Sequence, residues 1–189
     1  MPDALALLKT RRSVKPMELN GPAPSADEID TLITVAARVP DHGKLKPWRF
    51  IVFEGAARET AGAIIADVFR AAHPDAADDQ IDFERKRLTR APLVIAVVSR
   101  AGPHVKIPEW EQQLSAGAAA MNLVTAAHAM GFAASWITEW YAYDRAVLDK
   151  LGLAANERIA GFVHIGRPAK PPEDRDRPAL AEIITRFGA

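Results

Sequence analysis

The sequence contains no cysteine, which excludes disulfides, a thiolate nucleophile and cysteine-ligated zinc or iron–sulfur centres. Its 24 basic and 24 acidic side chains give a formal net charge of zero, so the chain lacks the positive field that collects nucleic acid. No apolar run approaches the roughly 20 residues that a membrane helix needs, and no secretory signal pattern opens the sequence. These absences predict a soluble, cytoplasmic protein without a nucleic-acid or membrane partner.

Several motifs that carry chemistry are also absent. The sequence has no glycine-rich dinucleotide fingerprint, no phosphate-binding P-loop and no nucleophile elbow of the G-x-S-x-G type. Its histidines show no i, i+4 pair that would ligate a metal on one helix face, and we expect no metal site; they are His42, His73, His104, His128 and His164. No side chain stands out as a catalytic acid or nucleophile, so a bound organic cofactor is expected to carry the chemistry.

The 189 residues, 49% of them hydrophobic, suit a single domain over residues 1–189. Alternating and continuous apolar runs predict four strands, at 49–54, 92–99, 132–138 and 159–165, with a turn at Gly166. Apolar residues at helical spacing predict helices near 3–10, 25–40, 57–72, 78–90, 109–130 and 144–152. The prolines after residue 167 favour an extended arm over residues 170–189.

The densest positive cluster of this neutral chain directly follows the first predicted helix. Arg11, Arg12 and Lys15, with the hydroxyl of Ser13 between them, could hold a phosphate group through charge-assisted hydrogen bonds. The alternative is a solvated basic helix end, which also interacts favourably with the helix dipole.

Two further segments could border a ligand. The stretch from Arg38 to Trp48 is polar, rich in turn formers and leads into a strand, although an ordinary connecting loop has the same composition. Trp136, Ile137 and Thr138 end a predicted strand, where they could form a wall for a planar ligand or the rim of the core. The small residues of 115–120 would let a partner helix approach the predicted helix 109–130 closely.

Together these segments resemble the nitroreductase family. Arg11 to Lys15 is similar to the Arg-x-Ser-x-Lys start of that family, and Pro40 to Trp48 is similar to its Pro-Ser-x-x-Asn-x-Gln-Pro-Trp loop. Here Asp41-His42 replaces the small polar pair and Lys46 replaces the glutamine. The Pro-Asp-His form and the Pro-x-Trp-Glu-Gln segment at 108–112 resemble a compact bacterial branch of NAD(P)H nitroreductases. The resemblance continues through Gly131-Phe132, Trp136 and residues 162–168.

The resemblance implies an α+β fold, in which helices flank a mainly antiparallel sheet, and an intertwined homodimer that exchanges C-terminal arms over residues 170–189. It implies tightly bound, non-covalent FMN and NAD(P)H as co-substrate. A hydride would pass through FMN to nitroaromatic, quinone or similar planar acceptors by a ping-pong mechanism. The alternatives are a flavin-binding dimer that stores or senses FMN without turnover, and a structural dimer without flavin.

The resemblance also implies roles for individual residues. Arg11, Arg12 and Ser13 would hold the phosphate and ribityl chain, and Lys15 would lie near the pyrimidine edge of the flavin. The loop with Arg38, Pro40, His42 and Lys44 would reach the cofactor from the other subunit. Trp136, Ile137 and Thr138 would border the ring system, and Arg175 and Arg177 would contact the phosphate from the tail.

Overall fold

The computed structural model describes residues 3–188 and has a five-stranded sheet at its centre. Every strand pair in this part of the chain is antiparallel, and the sheet runs in the order β2, β3, β5, with β4 and β1 also paired to β5. This confirms the predicted α+β class. The strands are β1 (Leu19–Asn20), β2 (Trp48–Phe53), β3 (Leu93–Ser99), β4 (Ala133–Ile137) and β5 (Arg158–Pro168).

Helices surround the sheet, and three of those in the described residues begin at a capping side chain, namely Asp3, Ser25 and Asp144. Ser25 accepts the backbone N–H of Glu28 at 3.3 Å, and the Glu28 carboxylate accepts the Ser25 N–H at 2.8 Å, which completes the capping box. The helices are α1 (Ala4–Thr10), α2 (Ala26–Ala36), α3 (Ala56–Ala72), α4 (Asp78–Arg85), α5 (Glu109–Ala129), α6 (Arg145–Lys150) and α7 (Leu180–Ile183).

The core has two layers because helices cover both faces of β3. Leu93, Ile95 and Val97 point toward α2 and α5, and the intervening residues of β3 point toward α3 and α6. Successive side chains of a strand face opposite sides of a sheet, so a strand covered on both sides must be apolar throughout. This explains the continuous apolar run of residues 93–98, all of which are buried.

Some predicted boundaries were wrong. Gly166 does not turn the chain: β5 continues through Pro168 and pairs with β1, a strand that the sequence patterns did not predict. A Cβ at Gly166 would lie 3.1 Å from the Leu19 Cβ and 2.8 Å from Pro92, so glycine permits the close approach of these segments. The helix predicted over 78–90 ends at Arg85, because the following arginines turn inward to form ion pairs.

The C-terminal tail is largely without regular structure, as its prolines predict, except for the single helical turn of α7. The predicted single domain and arm include Met1, Pro2 and Ala189, which lie outside the described residues. Within residues 3–188, no helix is long and apolar enough to cross a membrane. The same residues contain no group of three or more histidine and carboxylate side chains that could hold a metal ion.

Candidate functional site

A cation-lined cavity lies where α1 ends. Asp3 caps α1 through the N–H groups of Leu5 and Ala6, and the chain leaves the helix at Arg11 in an extended conformation. The residues that follow line a cavity of about 280 Å³ together with two residues of the tail. Its lining residues, here called the cation pocket, are Leu8, Lys9, Arg11, Arg12, Ser13, Arg175 and Arg177.

The tail reaches this pocket through contacts with Arg12. The Arg12 Nε donates to the carbonyl oxygen of Glu173 at 3.0 Å and lies 3.6 Å from the carboxylate of Asp174. Asp174 also lies 3.7 Å from the Arg177 guanidinium. The structure therefore brings the predicted tail residues Arg175 and Arg177 to the predicted phosphate residues, although more than 160 positions separate them in sequence.

The donor set of the cation pocket fits a phosphate group. Five cationic side chains and one hydroxyl line the cavity, and none of its lining residues in the described chain is a carboxylate. A phosphate monoester carries about two negative charges near neutral pH and offers three acceptor oxygens. Guanidinium groups match such oxygens with paired, charge-assisted hydrogen bonds. The pocket therefore suits the phosphate of the cofactor that the family resemblance implies.

Lys15 and the end of β4 lie on one edge of the sheet. The backbone N–H of Val14 donates to the Ala134 carbonyl at 3.3 Å, so the segment from Ser13 to Lys15 runs beside β4 two residues before Trp136. Lys15 is exposed and does not line the cation pocket. This arrangement places the predicted pyrimidine-edge residue and the predicted ring-bordering residues on neighbouring segments.

Two of the three predicted ring-bordering side chains, Trp136 and Thr138, make hydrogen bonds within the chain. The Trp136 indole donates to the Ala160 carbonyl at 3.1 Å and lies so close over Gly161 that a Cβ there would be 1.8 Å from the indole nitrogen. The indole remains 38% exposed and lines a cavity of about 510 Å³ that contains no other predicted site residue. The Tyr143 hydroxyl donates to the Thr138 hydroxyl at 2.8 Å.

The loop between α2 and β2 is tied to α5. The Ser115 hydroxyl donates to the Pro40 carbonyl at 2.7 Å and accepts from the Trp48 indole at 3.1 Å, while Asn122 donates to the Arg38 carbonyl at 3.0 Å. Ser115 and Asn122 were not predicted as site residues. Both residues hold backbone carbonyls of the loop because the loop packs against α5. The spacing of residues in the sequence does not show which helix the loop packs against.

Within this loop, Asp41 organises a tight turn. Its carbonyl accepts the Lys44 N–H at 3.1 Å and its carboxylate accepts the Lys46 N–H at 2.9 Å. Lys44 and Lys46 adopt positive φ angles of 55° and 50°, a conformation that is uncommon for residues with a Cβ. The turn leaves His42 projecting toward the first turn of α5.

His42 meets Glu111 there. The His42 Nδ1 lies 2.8 Å from the Glu111 carboxylate. This contact joins the Pro-Asp-His segment to the segment at 108–112, the two segments that resemble the compact bacterial branch. Both side chains are solvent-accessible, with 63% and 46% exposed. They line a depression of about 320 Å³ with Pro40, Leu114, Ser115 and Ala118.

The cation pocket and the His42 loop lie at opposite ends of α5 within one chain. His128 lies near the C-terminus of α5. Its burial lowers its pKa to about 4, and the positive charge of the nearby Arg11 contributes to this shift. Glu111, the partner of His42, lies in the first turn of α5. Since a helix advances about 1.5 Å per residue, these two points are about 25 Å apart along the axis.

One face of α5 remains open in the single chain. Trp110 and Leu114 are exposed, and Ala118 and Met121 continue the stripe at helical spacing with partial exposure. Among residues 4–10, α1 buries no side chain and exposes Leu5 and Leu8. Contiguous exposed apolar surface of this kind commonly marks a protein interface.

A buried ionic network follows directly after Thr138. The Glu139 carboxylate accepts hydrogen bonds from Arg87 at 2.6 Å, from Arg90, and from the Tyr141 hydroxyl at 2.9 Å. Burial alone raises the Glu139 pKa, but the hydrogen bonds from Arg90 and Tyr141 and the charges of both arginines outweigh it, so the pKa lies below its usual value. Glu84 pairs with Arg87 at 2.6 Å and balances the second positive charge.

Residues 8–167 match the model of the nitroreductase family. An Escherichia coli (strain K12) protein named "Putative NAD(P)H nitroreductase YdjA" is 37% identical over 166 residues, which cover 88% of each chain. The crystal structure of a nitroreductase-like family protein from Bacillus cereus superposes with a TM-score of 0.84 at 22% identity, covering 100% of this chain and 98% of that chain.

The structure of a nitroreductase with bound FMN from Bacteroides fragilis has a TM-score of 0.69 and 22% identity, covering 99% of this chain and 100% of that one. The match over residues 8–167 shows that this chain belongs to the nitroreductase family of oxidoreductases. The resemblance, the enzyme class and the α+β fold predicted from the sequence are thereby confirmed.

Proposed function

We propose that this protein is an FMN-dependent oxidoreductase that passes a hydride from NAD(P)H to a planar acceptor such as a nitroaromatic or a quinone. The cation pocket is the observation that carries the proposal, because five cations and a hydroxyl line one cavity and match the charge and acceptor oxygens of a phosphate. The FMN in the Bacteroides fragilis structure and the NAD(P)H in the name of the Escherichia coli relative support it. The cytoplasm, where NAD(P)H is available, is the proposed location.

In this proposal the residues of one chain hold one end and one face of the cofactor. Arg11, Arg12 and Ser13, joined by Arg175 and Arg177, bind the phosphate. Lys15 lies at the pyrimidine edge, where its positive charge favours the reduced, anionic state. Trp136, Ile137 and Thr138 border the ring system. Bound FMN supplies the hydride chemistry itself, so the protein contributes position and electrostatics.

We propose further that each site is completed by the second subunit of a homodimer. The loop at the far end of α5 carries Arg38, Pro40, His42 and Lys44, about 25 Å from the end near Arg11. We therefore expect the loop and the cation pocket of one chain to contact different cofactors. Two α5 helices packed antiparallel about a two-fold axis would bring the loop of one subunit to the cation pocket of the other. The open face of α5 supports this packing.

The tail supports the same arrangement. After its contact with Arg12, the chain continues through α7 with exposed apolar side chains at Leu180, Ile183 and Phe187. Of the predicted arm over residues 170–189, the part beyond Arg177 is proposed to reach over the partner, because Glu173 to Arg177 contact the cation pocket of their own chain. The single domain is proposed to form this dimer.

Mixing two inactive variants tests the shared site. A chain with Arg11→Ala and Ser13→Ala is combined, by unfolding and refolding together, with a chain carrying His42→Ala. If each site draws residues from both subunits, heterodimers regain one intact site of two, and NAD(P)H-dependent reduction of a benzoquinone returns in part. Sites built within single chains would give no recovery in the mixture, since every chain would remain defective.

The primary test of the proposed function is optical. The purified protein should be yellow, with about one FMN per chain, and anaerobic addition of NADH or NADPH should bleach the flavin absorbance rapidly. A flavin that persists in the oxidised state with both nucleotides would instead indicate a protein that stores or senses FMN. A colourless protein that does not take up added FMN would indicate a structural dimer.

A further inference from the structure

From the contact between His42 and Glu111 we infer that this pair delivers a proton to the acceptor as it is reduced, with His42 as the catalytic acid and Glu111 as its positioning residue. The inference rests on the proposed function, because it assigns a task to side chains at the proposed flavin site. It goes beyond cofactor binding, since it concerns the proton that must accompany the hydride.

The loop that carries His42 is solvent-exposed, yet hydrogen bonds and close packing hold its backbone on both sides of His42. Ser115 fixes the Pro40 carbonyl, and Asp41 binds two backbone N–H groups of the turn that follows. Gly43, with φ 69°, packs so closely that a Cβ would lie 2.6 Å from the Ile107 side chain. These anchors on both sides of His42 determine the position of its backbone, and Glu111 then orients the ring.

Stability does not account for the pair. Both side chains are about half exposed or more, and ion pairs between exposed groups contribute about 0–1 kcal/mol. An imidazole oriented by a carboxylate is, in contrast, the arrangement by which proteins prepare histidine for proton transfer. Histidine is the side chain that most often gives and takes protons in enzyme reactions.

The 2.8 Å contact assigns the two ring nitrogens. With Nδ1–H donated to Glu111, Nε2 is the ring nitrogen left free to transfer a proton. In the protonated ring the second hydrogen is on Nε2, which is the proton to be transferred. Glu111 therefore acts only through His42.

Electrons and hydrogens balance in this step when the acceptor is a quinone. The quinone accepts a hydride, with its electron pair, from the reduced cofactor, and one carbonyl oxygen accepts the proton from His42 Nε2. The product is the hydroquinone, which has gained two electrons and two hydrogens. His42 becomes neutral and recovers its proton from water. NAD(P)H restores the reduced cofactor, so no further reductant is required.

Oxidation of the pre-reduced flavin tests the inference apart from the NAD(P)H reaction. The holoenzyme is reduced with dithionite and mixed in a stopped-flow instrument with a benzoquinone or with ferricyanide, which accepts electrons without a proton. We expect His42→Gln to slow reoxidation by the quinone about 100-fold or more, as loss of a general acid does, and to leave the ferricyanide rate unchanged.

Glu111→Gln has a control on another helix. Glu59→Gln removes the same charge from the first turn of α3, where Glu59 is exposed and lies outside the proposed site. Glu111→Gln should slow the quinone reaction about tenfold, which corresponds to about 1.4 kcal/mol of the barrier, and Glu59→Gln should leave it unchanged. The solvent deuterium isotope effect on the wild-type quinone reaction should be lost in His42→Gln.

A readout without turnover completes the test. In the protein labelled with ¹⁵N-histidine, the His42 nitrogen shifts should show Nδ1 bonded to hydrogen, and Glu111→Gln should change these shifts while Glu59→Gln does not. Equal slowing with quinone and ferricyanide, or no slowing with either, would overturn the inference, as would a neutral His42 ring with its hydrogen on Nε2. A protein that binds FMN but is not reduced by NAD(P)H would contradict the proposed function instead.

Discussion

Replacing Arg11 and Ser13 by alanine together should raise the dissociation constant for FMN by about two to three orders of magnitude. A hydrogen bond to a charged group contributes about 1.5–3 kcal/mol and a neutral one about 1 kcal/mol, and each 1.4 kcal/mol is a factor of ten. The cation pocket has no carboxylate among its described lining residues to offset the charge of Arg11, so the phosphate would be its principal partner. Titration of the apoprotein with FMN, followed by quenching of flavin fluorescence, measures the change.

The control removes an arginine and a hydroxyl elsewhere. Arg70 and Thr60 lie exposed on α3, where Arg70 makes only a 3.9 Å contact with Asp78. Arg70→Ala with Thr60→Ala should leave the FMN affinity unchanged at the same ionic strength. If the Arg11 and Ser13 variant also keeps its affinity, the phosphate lies elsewhere and the proposed orientation of the cofactor is wrong.

Local patterns predicted most of the fold. The capping box at Ser25, the apolar run of β3 and the prolines of the tail each act through neighbouring residues, so they can be recognised without knowing the tertiary structure. The end of β5 depends on a different kind of information. Gly166 is typical of a turn in isolation, but here it permits β1 to approach, and that contact joins residues far apart in sequence.

The candidate site shows the same division. Arg11, Arg12 and Ser13 are adjacent in sequence, so their cluster was visible at once, and the structure adds Arg175 and Arg177 from the tail. The partners of His42 and Glu139 could not be predicted, because Glu111 lies 69 positions from His42 and Arg87 lies 52 positions from Glu139. Their identity follows only from the way α4, α5 and the strands pack.

The second large effect concerns stability and comes from the Glu139 network. The Arg87 and Arg90 side chains are only 12% and 14% exposed, and with Glu84 and Glu139 they form a neutral set of two positive and two negative charges. Glu139→Gln leaves one positive charge without compensation in a poorly solvated position. Removing one partner from a buried ion pair costs about 3–5 kcal/mol.

We therefore expect Glu139→Gln to lower the free energy of unfolding by about 3 kcal/mol, near the lower end of that range because Glu139 is 25% exposed. Urea unfolding at pH 7, with fixed protein and saturating FMN concentrations, measures this change. Asp149→Asn is the control, because Asp149 contacts Arg145 at 2.7 Å on the surface and its loss should cost less than about 1 kcal/mol. Equal losses in the two variants would contradict the role of burial.

The same network makes a prediction for pH. The folded-state pKa of Glu139 lies below the ordinary value of 4.5, so its contribution to stability is complete above that value and is lost as the pH falls below it. The difference in unfolding free energy between wild type and Glu139→Gln should be largest near pH 7 and should shrink as the pH is lowered from about 4.5, where the unfolded carboxyl takes up its proton. Because the glutamine variant has no proton to gain at this position, its stability should fall less steeply over that interval. A difference that stays constant from pH 7 to pH 3 would show that glutamine destabilises the fold through its shape rather than through the missing charge.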